Sequence, residues 1–94
     1  MERTLLNAEQ LAGEVARLNG WHVEGLELKK HIKFADFAES LQFVNKVAEL
    51  AEAADHHPDI TFGWGYADIA LTTHDSGGIT AVDIALAEKI DRVI

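Results

Sequence analysis

A chain of 94 residues supports one domain rather than two, and folding at this size buries somewhat over ~60% of the surface the unfolded chain exposes. Apolar residues make up 48% and charged residues 26%, which argues against disorder or membrane embedding, and 8 basic against 16 acidic side chains leave a net charge of -8. That balance disfavours direct binding to nucleic acid or to an anionic membrane surface. No cysteine occurs, so disulfides, thiolate metal sites and thiol nucleophiles are excluded. The start Met1-Glu2-Arg3-Thr4 lacks the basic-then-apolar pattern of a signal peptide and no apolar run approaches membrane length, so a cytoplasmic protein with small-molecule or protein partners is expected.

Asn7 reads as a helix N-cap, with Gln10 completing a capping box and Leu6 placed to staple onto Leu11. The spacing of Leu11, Val15 and Leu18 then predicts a helix from about Ala8 to Leu18, and Gly20 suits the left-handed conformation that follows helices. From Trp21 to Phe34 the period becomes two: Leu26, Leu28, Ile32 and Phe34 share one parity, and Glu27, Lys29, His31 and Lys33 the other. This pattern predicts strands with one wet face, joined by a tight turn near Glu24-Gly25. Lys30 breaks the apolar parity and is read as a stem covering the core edge with its amine in water.

Asp36 to Ala54 carries no Gly or Pro and is rich in Ala, Glu and Leu, which predicts one long helix. Phe37, Leu41, Val44, Ala48 and Ala51 form one stripe on it, and Phe43, Val47, Leu50 and Ala54 a second. Together they exceed the ~100° arc that one packing surface requires, so contact with a sheet and with a further helix or subunit is expected. Ile60, Phe62 and Trp64 alternate with Thr61 and Gly63 before Gly65, and Ala67, Ile69, Leu71 and Thr73 follow at one parity, predicting an antiparallel hairpin. Thr80 and Asp83 make a second capping box, opening a helix whose buried seam is Val82, Leu86, Ile90 and Val93. The order α-β-β-α-β-β-α predicts an α+β fold over residues 1–94 as a single domain, a four-stranded antiparallel sheet with three helices packed on one face.

Three of the five histidines lie between Glu52 and Asp83. Proline disfavours the α region for the residue before it, so Pro58 should force His57, with His56 beside it, out of the preceding helix. Glu52 stands one helical turn before His56 and reaches its imidazole if the helix persists that far. His74 follows an apolar strand just ahead of Gly77-Gly78, where a scaffold commonly hands a side chain to a cleft, although its parity is opposite to that of Ile69 and Leu71. With an ordinary pKa near ~6.5, histidine both gives and takes a proton near neutrality, so proton transfer is the chemistry indicated. A polar helix end whose imidazoles satisfy the last carbonyls explains His56 and His57 equally well. Adjacent histidines are poorly spaced for a closed zinc site, and no metal is expected. Ser76 sits in a Ser-Gly-Gly turn rather than a nucleophile elbow, against a hydrolytic triad. Glu52 reads equally as a solvated helix carboxylate, Asp83 as a cap, and His22 and His31 as exposed strand residues.

Glu52, His56-His57-Pro58, Trp64, His74 and Asp83, at these intervals, together resemble the signature of the pterin-4a-carbinolamine dehydratases. The surroundings are similar too: Ile32-Lys33-Phe34-Ala35-Asp36-Phe37, Phe43 to Ala48, Leu71-Thr72-Thr73-His74-Asp75 and Gly77-Gly78-Ile79-Thr80, so the resemblance runs from about Trp21 to Asp91. Trp64 stands where the family more often has tyrosine, and Ala67 where a branched residue is usual. The resemblance implies dehydration of 4a-hydroxytetrahydropterin to quinonoid dihydropterin, recycling the cofactor of aromatic amino-acid hydroxylases, without a metal or organic cofactor. It implies His56, His57 and His74 as the acid/base set, with Glu52 orienting His56 and Trp64 walling the ring. Asp55, Pro58, Thr73 and Asp75 join these as supporting or substrate-binding residues, while Asp83 remains mainly a cap. It implies a homodimer or homotetramer. It also brings an alternative, since the family includes non-enzymatic dimerisation cofactors of a homeodomain transcription factor and proteins that assist the assembly of other enzymes.

Overall fold

A computed structural model describes residues 2–94, and Met1 lies outside them. The elements are α1 (Ala8–Arg17), β1 (His22–Glu24), β2 (Glu27–Lys33), α2 (Phe37–Ala54), β3 (Asp59–Gly63), β4 (Tyr66–Leu71), a 3₁₀ turn (His74–Ser76) and α3 (Ala81–Asp91). The strands form one antiparallel sheet in the order β1-β2-β4-β3, with the helices on one face, as the sequence pattern predicts. Registers Leu28↔Leu71, Ile32↔Ala67 and Ile60↔Ile69 place the apolar parity of β2, β3 and β4 on the helix side. There Leu28, Ala67, Ile69 and Leu71 are buried. Lys29, His31, Asp68 and Thr61 take the opposite, wet face, because side chains alternate across a strand.

The capping boxes form as expected. Asn7 Oδ1 accepts from Gln10 N at 2.8 Å and Gln10 Oε1 from Asn7 N at 3.0 Å, and α1 ends one residue earlier than its spacing suggests, at Arg17. Asp36 caps α2 by accepting from Glu39 N at 2.9 Å. Of the two stripes on α2, Phe43 and Val47 turn to the core with Ala51 and Ser40. Phe37 and Leu41 are left 46% and 40% exposed, so that end of the outer stripe is only partly covered within the chain. α3 is sequestered more completely, with Val82, Ile84, Leu86, Ala87 and Ile90 all buried.

Two local expectations change. The β1–β2 connection is Gly25-Leu26, between the paired residues Glu24 and Glu27, and Gly25 takes φ +62° there. Leu26 therefore sits in the turn, 67% exposed, rather than in the apolar row of β2. Lys30 does lie along the core edge, but its amine is not in water. It donates to Asp91 Oδ1 at 2.8 Å and to the Asn19 carbonyl at 2.6 Å, while Trp21 Nε1 donates to the same Asp91 oxygen at 2.9 Å. The parity that brings the Lys30 stem to the helix side also brings its charge within reach of the end of α3. The side chain of Lys30 keeps only 10% exposure, and that pairing is what makes its burial tolerable.

Removing packed atoms here has a calculable cost. Ile90→Ala, at a fully buried position of α3, is expected to lower unfolding free energy by about 2–5 kcal/mol. Val23→Ala, on an exposed part of edge strand β1, should change it by no more than about 0.5 kcal/mol. Urea denaturation midpoints check both values, and equal losses at the two positions would contradict the core as placed.

Candidate active site

The end of α2 decides where its two histidines go. Helical backbone stops at Ala54, and Asp55 adopts φ 49°, ψ 45°, the one positive φ outside glycine among the described residues. Asp55 N donates to Glu52 O at 3.3 Å and His56 N to Ala51 O at 3.1 Å, the paired bonds of a Schellman termination. A left-handed residue with a Cβ costs roughly 1–2 kcal/mol, which Asp bears better than most residues. Its effect is to rotate the chain so that His56 points inward, 6% exposed, and His57 outward, with its side chain 57% exposed. The expected Glu52–His56 pair does not form. Helical register is lost at Asp55, so Glu52 Oε2 instead bonds His57 Nε2, leaving His56 free to seek a partner across the fold.

That partner is Asp83, at 0% exposure in the first turn of α3. Asp83 Oδ1 lies 2.5 Å from His56 Nε2, while Oδ2 accepts from Thr80 N at 2.9 Å and from Thr73 Oγ1 at 2.8 Å. Because the Thr73 hydroxyl is spent on the carboxylate, the 2.9 Å contact between the two threonine hydroxyls is a donation from Thr80. Thr80 Oγ1 in turn accepts from Val82 N at 3.2 Å. The cap that the sequence reveals is therefore also the buried anchor of a histidine. No local signal shows the second role, since the capping box accounts for Asp83 by itself. Among the described residues every buried side-chain nitrogen and oxygen has a partner.

Strand β4 ends at Leu71, which resolves the parity question at His74. Ser76 N and Gly77 N both donate to Thr73 O at 3.0 Å, and Thr73 N donates to Gly78 O at 2.8 Å. The resulting tight 3₁₀ turn presents His74 and Asp75 to solvent. A cleft of about 230 Å³ opens between this turn and the end of α2, lined by His56, His57 and His74 together with Arg3, Asp55, Thr72, Thr73 and Asp75.

Arg3 is the residue that sequence reading missed. Its Nη1 lies 3.2 Å from His56 Nδ1, its Nη2 donates to the Asp55 carbonyl at 3.2 Å, and its own carbonyl accepts from the Ser76 hydroxyl. The segment reaches the site because Leu5 bridges Thr80 and Leu6 N donates to Ile79 O at 3.1 Å, contacts with no local sequence signature. Pro58 leads half-buried into β3. Trp64 lies apart from the cleft. It occupies the β3–β4 turn, at the end of β3 remote from Pro58, and is 72% exposed, so in this chain it forms no wall of the histidine cleft.

A larger hollow of about 380 Å³ lies on the open face of the sheet and contains His22 and His31. His31 Nδ1 pairs with Asp68 at 2.5 Å and His22 with Glu24 at 3.4 Å. Each is an exposed pair between strand neighbours, as expected for residues on a wet face. The smaller cleft, not the larger hollow, gathers three imidazoles around one opening.

A family model for pterin 4 alpha carbinolamine dehydratase matches residues 4–93. The chain belongs to the pterin-4a-carbinolamine dehydratase family. A Trichormus variabilis protein assigned by name to the family is 42% identical over 89 residues, 95% of this chain and 96% of its own length. One from Rubrobacter xylanophilus is 45% identical over 89 residues, 94% of this chain and 83% of that protein. Among solved structures, a transcriptional coactivator/pterin dehydratase from Brucella melitensis superposes with a TM-score of 0.89 at 31% identity, covering 94% of this chain and 96% of that one. A pterin dehydratase-like protein identified as a RuBisCO assembly factor in the alpha-carboxysome matches with a TM-score of 0.64 at 27% identity, covering 78% and 84%.

Removing the exposed histidines and removing the buried carboxylate should not be equivalent for stability. His57→Ala and His74→Ala, at exposed positions, should each cost less than about 1 kcal/mol. Asp83→Ala deprives the buried His56 imidazole, the Thr73 hydroxyl and the Thr80 amide of one acceptor group, for an expected loss of about 2–4 kcal/mol. Thermal or urea unfolding of the variants distinguishes the cases, and a neutral Asp83→Ala would contradict the network.

Proposed function

We propose that this chain dehydrates 4a-hydroxytetrahydropterins to quinonoid dihydropterins, with His56, His57 and His74 as the acid/base and binding set. One observation carries the reading: three imidazoles from two separate loops face a single cleft in a member of this family. The reaction breaks the C4a–O bond as a proton reaches the departing hydroxyl, and a ring nitrogen gives up its proton as the C=N bond forms. Water leaves and no electrons are exchanged with an outside partner. The need is for groups that donate and accept protons around a flat polar heterocycle, which imidazoles supply without a metal or an organic cofactor. Asp83 orients His56, Glu52 orients His57, and the 3₁₀ turn carries His74 to the opening. Asp55 and Asp75 lie on the rim, and Thr73 acts through Asp83. A cytoplasmic setting and a place in regenerating the pterin cofactor of aromatic amino-acid hydroxylases belong to the same reading. Among the described residues no helix is long and apolar enough to cross a membrane.

A second copy of the chain is the partner we propose for the outer face of α2. Phe37 and Leu41 stay exposed there, and the Phe37 ring packs, tilted, against Phe62 of β3 at 5.7 Å between centroids, extending the apolar surface. A homodimer or homotetramer uses this face. The alternative role, a dimerisation or assembly cofactor, would present the same face to another protein, and relatives named as a coactivator and as an assembly factor lend it support.

In a dehydration assay on a 4a-hydroxytetrahydropterin, His57→Ala and His74→Ala should each lower the rate by something on the order of 10²-fold or more. Losses should combine less than multiplicatively because the groups act on one substrate. His22→Ala serves as the control and should turn over at the parent rate. Parent-like rates from folded His57→Ala and His74→Ala proteins would end the enzyme reading in favour of a binding module. For the assembly, light scattering should report a dimer or tetramer at micromolar concentration, and Leu41→Glu should yield a folded, smaller species. Val47 cannot serve that test, because it is fully buried in the core. A monomeric parent would overturn the oligomer.

A further inference from the structure

His56 has two ring nitrogens and both are engaged. Nε2 meets Asp83 Oδ1 at 2.5 Å in the interior, and Nδ1 meets Arg3 Nη1 at 3.2 Å on the cleft side. A guanidinium has donors only, so Nδ1 must be the acceptor of that bond, and the neutral ring carries its proton on Nε2, against the carboxylate. Two groups from opposite ends of the chain thus agree on one tautomer. Nε2 is committed to a buried carboxylate that also holds Thr73 and Thr80. Nδ1 is therefore the nitrogen of His56 that can exchange a proton with a molecule in the cleft, and Arg3 covers it.

We infer that Arg3 is a positioning residue of the site: its guanidinium caps the exchangeable nitrogen of His56 until a donor N–H or O–H of the substrate takes its place. A donor already seated on Nδ1 cannot remain when that nitrogen becomes protonated, because two donors would then face each other. The cap must consequently move aside for His56 to work. Arg3 is built for that movement, being exposed while its backbone is pinned. Its carbonyl is tied to Ser76, and Leu5 and Leu6 are tied to Thr80 and Ile79, so the side chain can swing while the backbone segment stays. Nη2 on the Asp55 carbonyl gives the guanidinium a second hold at the rim. The role in turnover rests on the dehydratase reading, whereas the capping of Nδ1 does not.

Two measurements separate these. Long-range ¹⁵N–¹H correlation spectra of the imidazoles, recorded without ligand, should show the His56 proton on Nε2 and Nδ1 as a hydrogen-bonded acceptor. Arg3→Ala should leave the proton on Nε2 and move the Nδ1 resonance to that of a free acceptor, and Arg3→Lys should restore much of the shift. A His56 Nδ1 resonance unmoved by Arg3→Ala, or a proton found on Nδ1 in the parent, overturns the cap. In the dehydration assay, loss of a competing donor should lower KM by about 3- to 10-fold in Arg3→Ala, the scale of one hydrogen bond, with Arg3→Lys near the parent. A raised KM would instead make Arg3 an ordinary substrate-binding group and overturn its displacement. If the spectra behave as expected and neither parent nor variants dehydrate the pterin, the dehydratase reading falls while the cap stands.

Discussion

Asp83 is a carboxylate with no exposure to water, and the site depends on how that charge is accommodated. Burying an ionised carboxyl without partners is prohibitive, and here it takes hydrogen bonds from an imidazole, a hydroxyl and a backbone amide. Each donor comes from a different part of the chain: the loop after α2, the loop after β4, and the residue capping α3. Satisfying one charge therefore locks three segments against one another. The same contacts that make the burial tolerable place His56 and the His74 turn on two sides of a single cleft.

The termination of α2 works together with this anchor. Had the helix run one residue further, His56 would have faced Glu52 on the helix surface and Asp83 would have lacked its imidazole. The left-handed Asp55 trades about 1–2 kcal/mol of backbone strain for a division of labour between adjacent residues. One histidine is held rigidly in the interior, and the other rides on an exposed glutamate. An exposed pair of that kind adds little stability, so Glu52 does little to hold the fold. The cleft thus mixes a fixed imidazole with two accessible ones.

The rest of the molecule keeps this arrangement in register. The helix-facing rows of β2, β3 and β4 share one apolar cluster with the buried side chains of α2 and α3, and the latch of Trp21 and Lys30 on Asp91 ties the β1–β2 end of the sheet to the far end of α3. With α3 held at Asp91 by the sheet and at Asp83 by the site loops, its position is determined at both ends. The outer stripe of α2 is the surface left over: Phe37 and Leu41 take no part in the core.

Much of this was legible in the residues. Apolar periodicities of two and 3.6 report which face of each element is buried, because side-chain direction is set by the local backbone, so element order, hairpins and the α+β class followed from Leu28, Ile32, Val47, Ile69, Leu86 and their spacing. The capping boxes at Asn7 and Thr80 were equally readable, since their bonds span three residues. Pairings across the fold were not. Glu52 reaches His57 instead of His56 because one backbone dihedral at Asp55 changes sign, and Lys30 finds Asp91 sixty-one positions away. The bond from Asp83 to His56 spans twenty-seven positions and that from Arg3 to His56 fifty-three. Periodicity and capping depend on neighbours within a turn or two and are written in the sequence. Which nitrogen of His56 meets which partner depends on where the packing of three helices on one sheet brings distant segments, and only the tertiary structure decides it.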